Sequence, residues 1–189
     1  MSAQDGTVLS ANQDLARLVE ENIDLIPNFP TDGVLFRDIT PLLANGPAFE
    51  ALTSGMADLY AGKIDYVVGL ESRGFILAAP MATHLGIGLL TARKKGKLPG
   101  PVISIDYTLE YGTASLEIRP ETVPAGARVL IVDDVLATGG TASAAVELLR
   151  QCGAEVVGLL VLLELTELEG RKKLENIPID TIVAVDESY

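Results

Sequence analysis

Residues 128–141 read Arg128-Val-Leu-Ile-Val-Asp133-Asp134-Val-Leu-Ala137-Thr138-Gly139-Gly140-Thr141, and an Ala-rich stretch with helical spacing follows at once. The apolar, β-branched start predicts a buried strand over Arg128–Val132. Two adjacent carboxylates close it. Thr138–Thr141 then offers two glycines, two hydroxyls and their backbone amides where a helix, Thr141–Cys152, begins. The first amides of a helix have no partner inside it, so a Gly-rich turn leading into a helix is an anion cradle. In a parallel sheet this turn falls at the carboxyl end of a strand, the end at which such sheets bind ligands. A phosphate is the natural guest. Carboxylates beside a phosphate repel it unless they face something else, and ribose hydroxyls or a divalent cation would meet that need. The plainer alternative is a turn with an N-cap and no ligand. Neither Gly-x-x-x-x-Gly-Lys-Ser/Thr nor Gly-x-Gly-x-x-Gly occurs, which excludes an NTPase phosphate loop and a dinucleotide fingerprint.

The flanking chain repeats the strand-then-helix texture. Short apolar runs predict strands over Asp65–Leu70, Gly88–Ala92, Val156–Leu163 and Thr181–Val185, with helices over Phe75–Leu85 and Leu168–Leu174 between them. Continuous apolar strands alternating with helices mark a sheet covered on both faces. The expectation is therefore an α/β fold: a doubly wound, mainly parallel sheet flanked by helices. Leu15, Leu18, Val19 and Ile23 recur at helical spacing and predict an amino-terminal amphipathic helix, stopped by Pro27 and Pro30. A further helix is predicted over Pro47–Tyr60. Between Lys94 and Pro124 the alternation breaks into β-like runs at Val102–Tyr107 and Thr113–Ile118, read as an antiparallel excursion or mobile flap.

At 189 residues the chain suits one domain. A 48% hydrophobic share with 5% aromatics requires aliphatic side chains to fill its core. Fourteen Lys and Arg against 26 Asp and Glu leave a net charge of −12, which disfavours binding to nucleic acid. One cysteine, Cys152, and one histidine, His84, exclude an internal disulfide and a Cys/His zinc site, so any metal must be held by oxygen. Met1–Ser10 lacks a basic region followed by an apolar stretch, and the longest apolar run, Leu159–Leu163, is far short of the ~18 residues of a membrane span. A cytoplasmic protein without membrane contact is the expectation. His84 reads as a packing or surface residue and Cys152 as a buried small hydrophobe, and neither enters a mechanism.

Three further segments carry chemistry of their own. Glu71-Ser72-Arg73-Gly74 follows a strand and precedes a helix, a second anion site with Arg73 to supply charge. Arg93, Lys94, Lys95 and Lys97 gather four of the 14 basic residues in one loop, a local attractor for anions on an acidic protein. Phe36, in the irregular stretch Thr31–Pro41, is a flat aromatic able to stack on a purine. For each, a solvated turn or a packing role is the alternative.

The run Val129–Thr141 resembles the phosphoribosyl pyrophosphate signature of the type I phosphoribosyltransferases. Leu35-Phe36-Arg37-Asp38-Ile39-Thr40-Pro41, Glu71-Ser72-Arg73-Gly74-Phe75, and Arg93–Gly100 with Leu109-Glu110-Tyr111-Gly112 are similar to the adenine phosphoribosyltransferase family, in family order over nearly the whole chain. What the resemblance implies is a single domain with an amino-terminal base-binding hood, about 10–45, and a flap, about 94–124. It implies transfer of phosphoribosyl from phosphoribosyl pyrophosphate to adenine, giving AMP and pyrophosphate, in a homodimer using Mg²⁺. Asp133 and Asp134 would hold the ribose diol and reach the metal mainly through substrate and water. Ala137, Thr138, Gly139, Gly140 and Thr141 would cradle the monophosphate. Glu71, Ser72, Arg73 and Gly74 would hold the diphosphate, with Arg93, Lys94 and Lys97 contributing to it or reaching it from a partner subunit. Leu35, Phe36 and Arg37 would meet the base, and Glu110, Tyr111 and Arg73 are the catalytic candidates. The rivals are salvage of another purine such as xanthine, and a regulator of the same fold that binds phosphoribosyl pyrophosphate without turning it over. No basic helix-turn-helix in residues 1–30 supports the regulator.

Overall fold

The computed structural model describes residues 13–108, 113–174 and 176–186. Helix α1 covers residues 13–20. A ribbon of β1 (Asp24–Pro27) and β2 (Leu35–Asp38) follows, then α2 (Thr40–Ala44) and α3 (Gly46–Asp58). The chain continues through β3 (Tyr66–Leu70), α4 (Arg73–Leu85), β4 (Gly88–Lys94), β5 (Ile103–Thr108) and β6 (Thr113–Ile118). It closes with β7 (Arg128–Leu136), α5 (Gly140–Gln151), β8 (Glu155–Leu165) and β9 (Ile179–Val185).

The main sheet runs in the order β5-β6-β4-β3-β7-β8-β9. Its five strands from β4 to β9 are parallel, and β6 and β5 add an antiparallel edge. Alternation along buried strands divides the core by face. Val67, Leu130, Val132 and Leu160 meet α1, α3 and α4 through Val19, Leu52, Met56, Leu77 and Met81. Val68, Ile131, Leu159 and Val161 meet α5 through Ala145, Leu148 and Leu149. Each fully buried Leu, Ile or Val among them contributes about 1.5–3 kcal/mol. The helix after β3 and the helix after β7 thus cover opposite faces, which is the doubly wound arrangement. Strand order reverses between β3 and β7, and the crevice at such a reversal is where open α/β sheets take ligands.

Several boundaries differ from expectation. β7 continues past Val132 to Leu136, because its pairing with β8 runs on through Asp133↔Val161 and Leu136↔Glu164. Asp133 and Asp134 therefore stand within the strand rather than closing it. Arg73 and Gly74 belong to the first turn of α4, and Arg93 and Lys94 to β4, where they pair with Glu117 and Leu116 of β6. Leu35–Asp38, read as irregular, is a strand opposite β1. The stretch predicted as a helix over Leu168–Leu174 forms two 3₁₀ turns, Thr166–Leu168 and Gly170–Lys173. Among the described residues no helix is long and apolar enough to cross a membrane.

Candidate active site

Because α4 and α5 follow parallel neighbours, both begin at the same end of the sheet, and a cavity of about 460 Å³ opens there. Glu71, Ser72 and Arg73 wall one side, Asp133, Asp134 and Ala137–Thr141 the other. Lys94, Tyr107 and Ala114 complete it from β4, β5 and β6.

The phosphate-type loop is shaped by backbone. Gly139, the N-cap of α5, sits at φ +76, in the left-handed region open to glycine. Among the described residues no side chain caps α5, which leaves the amides of its first turn available at the cavity end. Gly74 answers a different need. A Cβ there would lie 2.6 Å from the Val132 carbonyl oxygen and 3.0 Å from Asp133 Oδ1, so only glycine lets the start of α4 approach β7 this closely.

The two carboxylates differ in surroundings. Asp134 is buried and pairs with the Arg73 guanidinium at 2.8 Å, the compensation that a buried charge requires. The side chain of Asp133 reaches the cavity surface, yet the atoms around it strip most of its water. Burial first, then the negative charge of Asp134, push its pKa well above the usual carboxylate range, against the Asp134 backbone N–H and Arg73. That N–H donates to Asp133 Oδ1 at 2.9 Å.

Arg73 also lies over the ring of Phe36, its guanidinium carbon 5.8 Å from the ring centre, and so links the β1–β2 ribbon to Asp134. Phe29 meets Phe36 edge-on, with ring centres 5.1 Å apart. Leu35, Phe36 and Arg37 stand on β2, beyond Arg73 and outside the cavity walls.

Glu71 lines the cavity, but its carboxylate is tied to β4. Its carboxylate accepts from the Lys94 backbone N–H at 2.8 Å and from Arg93 Nε at 3.3 Å. Burial acts to raise the Glu71 pKa but is outweighed by these donors and the charges of Arg93 and Lys94, so the pKa is lowered. Arg93 in turn donates to the Lys97 carbonyl at 3.2 Å and lies over Phe75, so its guanidinium is committed. Of the predicted basic residues Lys94 lines the cavity, while Arg93 and Lys97 do not. Glu110 and Tyr111 lie outside the described residues. His84 pairs with Asp58 at 3.0 Å, and Cys152 packs against the α5 core.

Tyr107 and Ala114 were not singled out from sequence. Nor was Gly170, whose backbone touches the Gly139 loop.

A phosphoribosyl transferase domain family matches residues 41–187. The adenine phosphoribosyltransferase of Thermobifida fusca is 50% identical over 173 residues, covering 91% of this chain and 98% of that one. The crystal structure of adenine phosphoribosyltransferase from Thermoanaerobacter pseudethanolicus superposes with a TM-score of 0.86 at 43% identity, over 90% of this chain and 99% of that one. The Saccharomyces cerevisiae enzyme, complexed with D-2,5-dideoxy-2,5-imino-altritol 1,6-bisphosphate and adenine, gives 0.85 at 40% identity, with 90% and 99% covered. From the fold, the site and these relatives together, the chain belongs to the phosphoribosyltransferase family, among its adenine phosphoribosyltransferases.

Proposed function

We propose that the chain is a pentosyltransferase of purine salvage, joining adenine to the phosphoribosyl group of phosphoribosyl pyrophosphate and releasing AMP and pyrophosphate. The observation that carries this is the meeting of two helix starts, a Gly-rich loop and two adjacent aspartates in one cavity. A sugar with phosphates at both ends matches that layout, and the yeast relative's ligands, a bisphosphate and adenine, have the same chemistry.

The first-turn amides of α5, with Thr138 and Thr141, take the monophosphate, and Asp133 and Asp134 accept from the ribose hydroxyls. Ser72, Arg73, Gly74 and Lys94 receive the diphosphate, while Arg93 orders that site through Glu71 and does not touch the ligand itself. Phe36 gives the adenine a stacking face. As the glycosidic carbon parts from the diphosphate, positive character grows on the sugar and negative charge on the leaving group. The carboxylates and the cationic and amide donors stand on the matching sides, so positioning and electrostatics carry the catalysis. Glu110 exchanges the proton that adenine must lose, with Tyr111 beside the diphosphate; both roles rest on the family resemblance.

Mg²⁺ suits the donor set. Among the described residues no three ligating side chains stand together, and Asp134 is committed to Arg73. Such a site fits an ion held chiefly by substrate oxygens and water, with Asp133 and Asp134 as outer partners. Bound with the diphosphate, it would supply charge neutralisation to the leaving group. The homodimer is supported by apolar side chains exposed on the β1–β2 ribbon, Leu25 at 57% and Phe29 at 49%. Cytoplasmic action would keep the Cys152 thiol reduced. The unit as a whole is proposed to be one domain, with the β1–β2 ribbon as base-binding hood and the β5–β6 hairpin as flap.

Initial rates with adenine, hypoxanthine, guanine and xanthine, each with phosphoribosyl pyrophosphate and Mg²⁺, test the function. Adenine is expected to exceed the others by roughly a hundredfold or more. Preferred turnover of another purine would replace the substrate, and no turnover of any would favour the regulator.

A further inference from the structure

The loop Ala137–Gly139 has a wall behind it that belongs to no substrate-binding motif. A Cβ built on Gly139 would lie 2.4 Å from the Gly170 carbonyl oxygen, and one on Gly170 would lie 2.1 Å from the Ala137 carbonyl oxygen. The two backbones touch with no room for a side chain, and both glycines are buried. The residue after Gly170 is anchored unusually firmly. Arg171 donates Nε to Glu164 Oε1 at 2.6 Å and Nη2 to Glu164 Oε2 at 2.7 Å. It also donates to the Ile179 carbonyl and to Thr181 Oγ1, each at 3.0 Å. The Thr181 hydroxyl donates to Glu164 Oε2 at 2.8 Å. Glu164, only 5% exposed, lies on β8 directly opposite Leu136, the residue from which the loop departs.

We infer that Gly170 and the Arg171–Glu164 pair are positioning residues for the monophosphate loop: the pair holds Gly170 against Ala137 and Gly139, and Gly170 fixes the direction of the loop amides. None of the three lines the cavity. The inference rests on the proposed function, in which this loop receives the monophosphate. A loop with two successive glycines has more backbone freedom than amide recognition of an anion tolerates. A rigid backbone wall removes that freedom, and a forked Arg–carboxylate contact fixes the wall in direction as well as distance.

The test uses the full chain carrying Gly170→Ala, Arg171→Lys and, as a control on the same turn, Lys172→Ala, whose side chain pairs with Glu169 in solvent. KM for each substrate, kcat, calorimetric Kd for ribose 5-phosphate and thermal melting are measured. Gly170→Ala and Arg171→Lys are expected to raise KM for phosphoribosyl pyrophosphate and Kd for ribose 5-phosphate at least tenfold, with KM for adenine within twofold and Lys172→Ala matching the wild type. Should Gly170→Ala fail to fold, Arg171→Lys, which keeps charge and bulk, decides the matter. Unchanged ribose 5-phosphate affinity in folded Arg171→Lys, or equal losses for both substrates, would overturn the inference. A wild-type protein that binds no ribose 5-phosphate would instead overturn the function on which it rests.

Discussion

Asp133 is a carboxyl that folding alone disfavours. Burial and its neighbour Asp134 hold its folded pKa well above the unfolded value near 3.8. Below that value both states are protonated and the residue costs nothing. As pH rises, the unfolded chain loses the proton first and is favoured, so Asp133 lowers stability at neutral pH. Asp133→Asn keeps the oxygen that accepts from Asp134 N–H and removes the charge. The variant should melt higher than wild type at pH 7, the gap should close near pH 4, and affinity for phosphoribosyl pyrophosphate should fall about tenfold, a loss on the scale of a hydrogen bond to a charged group. Melting curves at both pH values and calorimetry check this. A variant less stable at pH 7 would mean that the carboxylate is structurally needed. The neighbouring pairing of Arg73 with Asp134 was hidden in sequence, since nothing in spacing says that the cation opening α4, after the adjacent strand β3, turns toward the second aspartate.

Elements were legible where burial enforced a pattern. β3, β7 and β8 declare themselves by continuous apolar runs, and α5 by its Ala- and Leu-rich face; their order supplied the sheet and the cavity end. Short polar elements were not legible. β2 carries Leu35, Phe36, Arg37 and Asp38, all half-buried, so it shows no alternation, and its strand character comes from pairing with β1. Likewise Arg93 and Lys94 looked like loop charge because β4 is prolonged only by the antiparallel contact with β6. That hairpin supports a further expectation. Tyr107 and Ala114 bring its two strands to the cavity wall, and residues 109–112, outside the described residues, connect them. With Glu110 as the proton-exchanging group on this connection, Glu110→Gln should lower turnover by roughly a hundredfold while phosphoribosyl pyrophosphate affinity changes little. Single-turnover stopped-flow isolates the chemical step, and a wild-type rate there would leave the proton to water or backbone.

At the scale of the whole molecule, a net charge of −12 opposes the approach of doubly phosphorylated substrates, and Arg73, Lys94 and the amides of two helix starts bring positive charge into a cavity that also holds Glu71, Asp133 and Asp134. The exposed apolar face of the β1–β2 ribbon is expected to be covered in a homodimer. Light scattering at micromolar concentration should return twice the chain mass, and a fully active species of single-chain mass would exclude the dimer. The expected subunit contact is not legible in the sequence, because Leu25, Phe29 and Val34 stand singly along an irregular stretch and nothing in their spacing marks them as exposed. The Gly-rich turn over residues 137–141 and its place at the ligand end of the sheet, by contrast, were readable, as its glycines and hydroxyls and the carboxylates before them are contiguous. A crystal structure of the protein with AMP bound tests this arrangement most directly. The expected result is the phosphate on the backbone amides of Thr138–Thr141, both ribose hydroxyls on Asp133 and Asp134, and adenine against Phe36. A phosphate bound instead at Ser72–Gly74, or a nucleotide lying away from the aspartates, would contradict it.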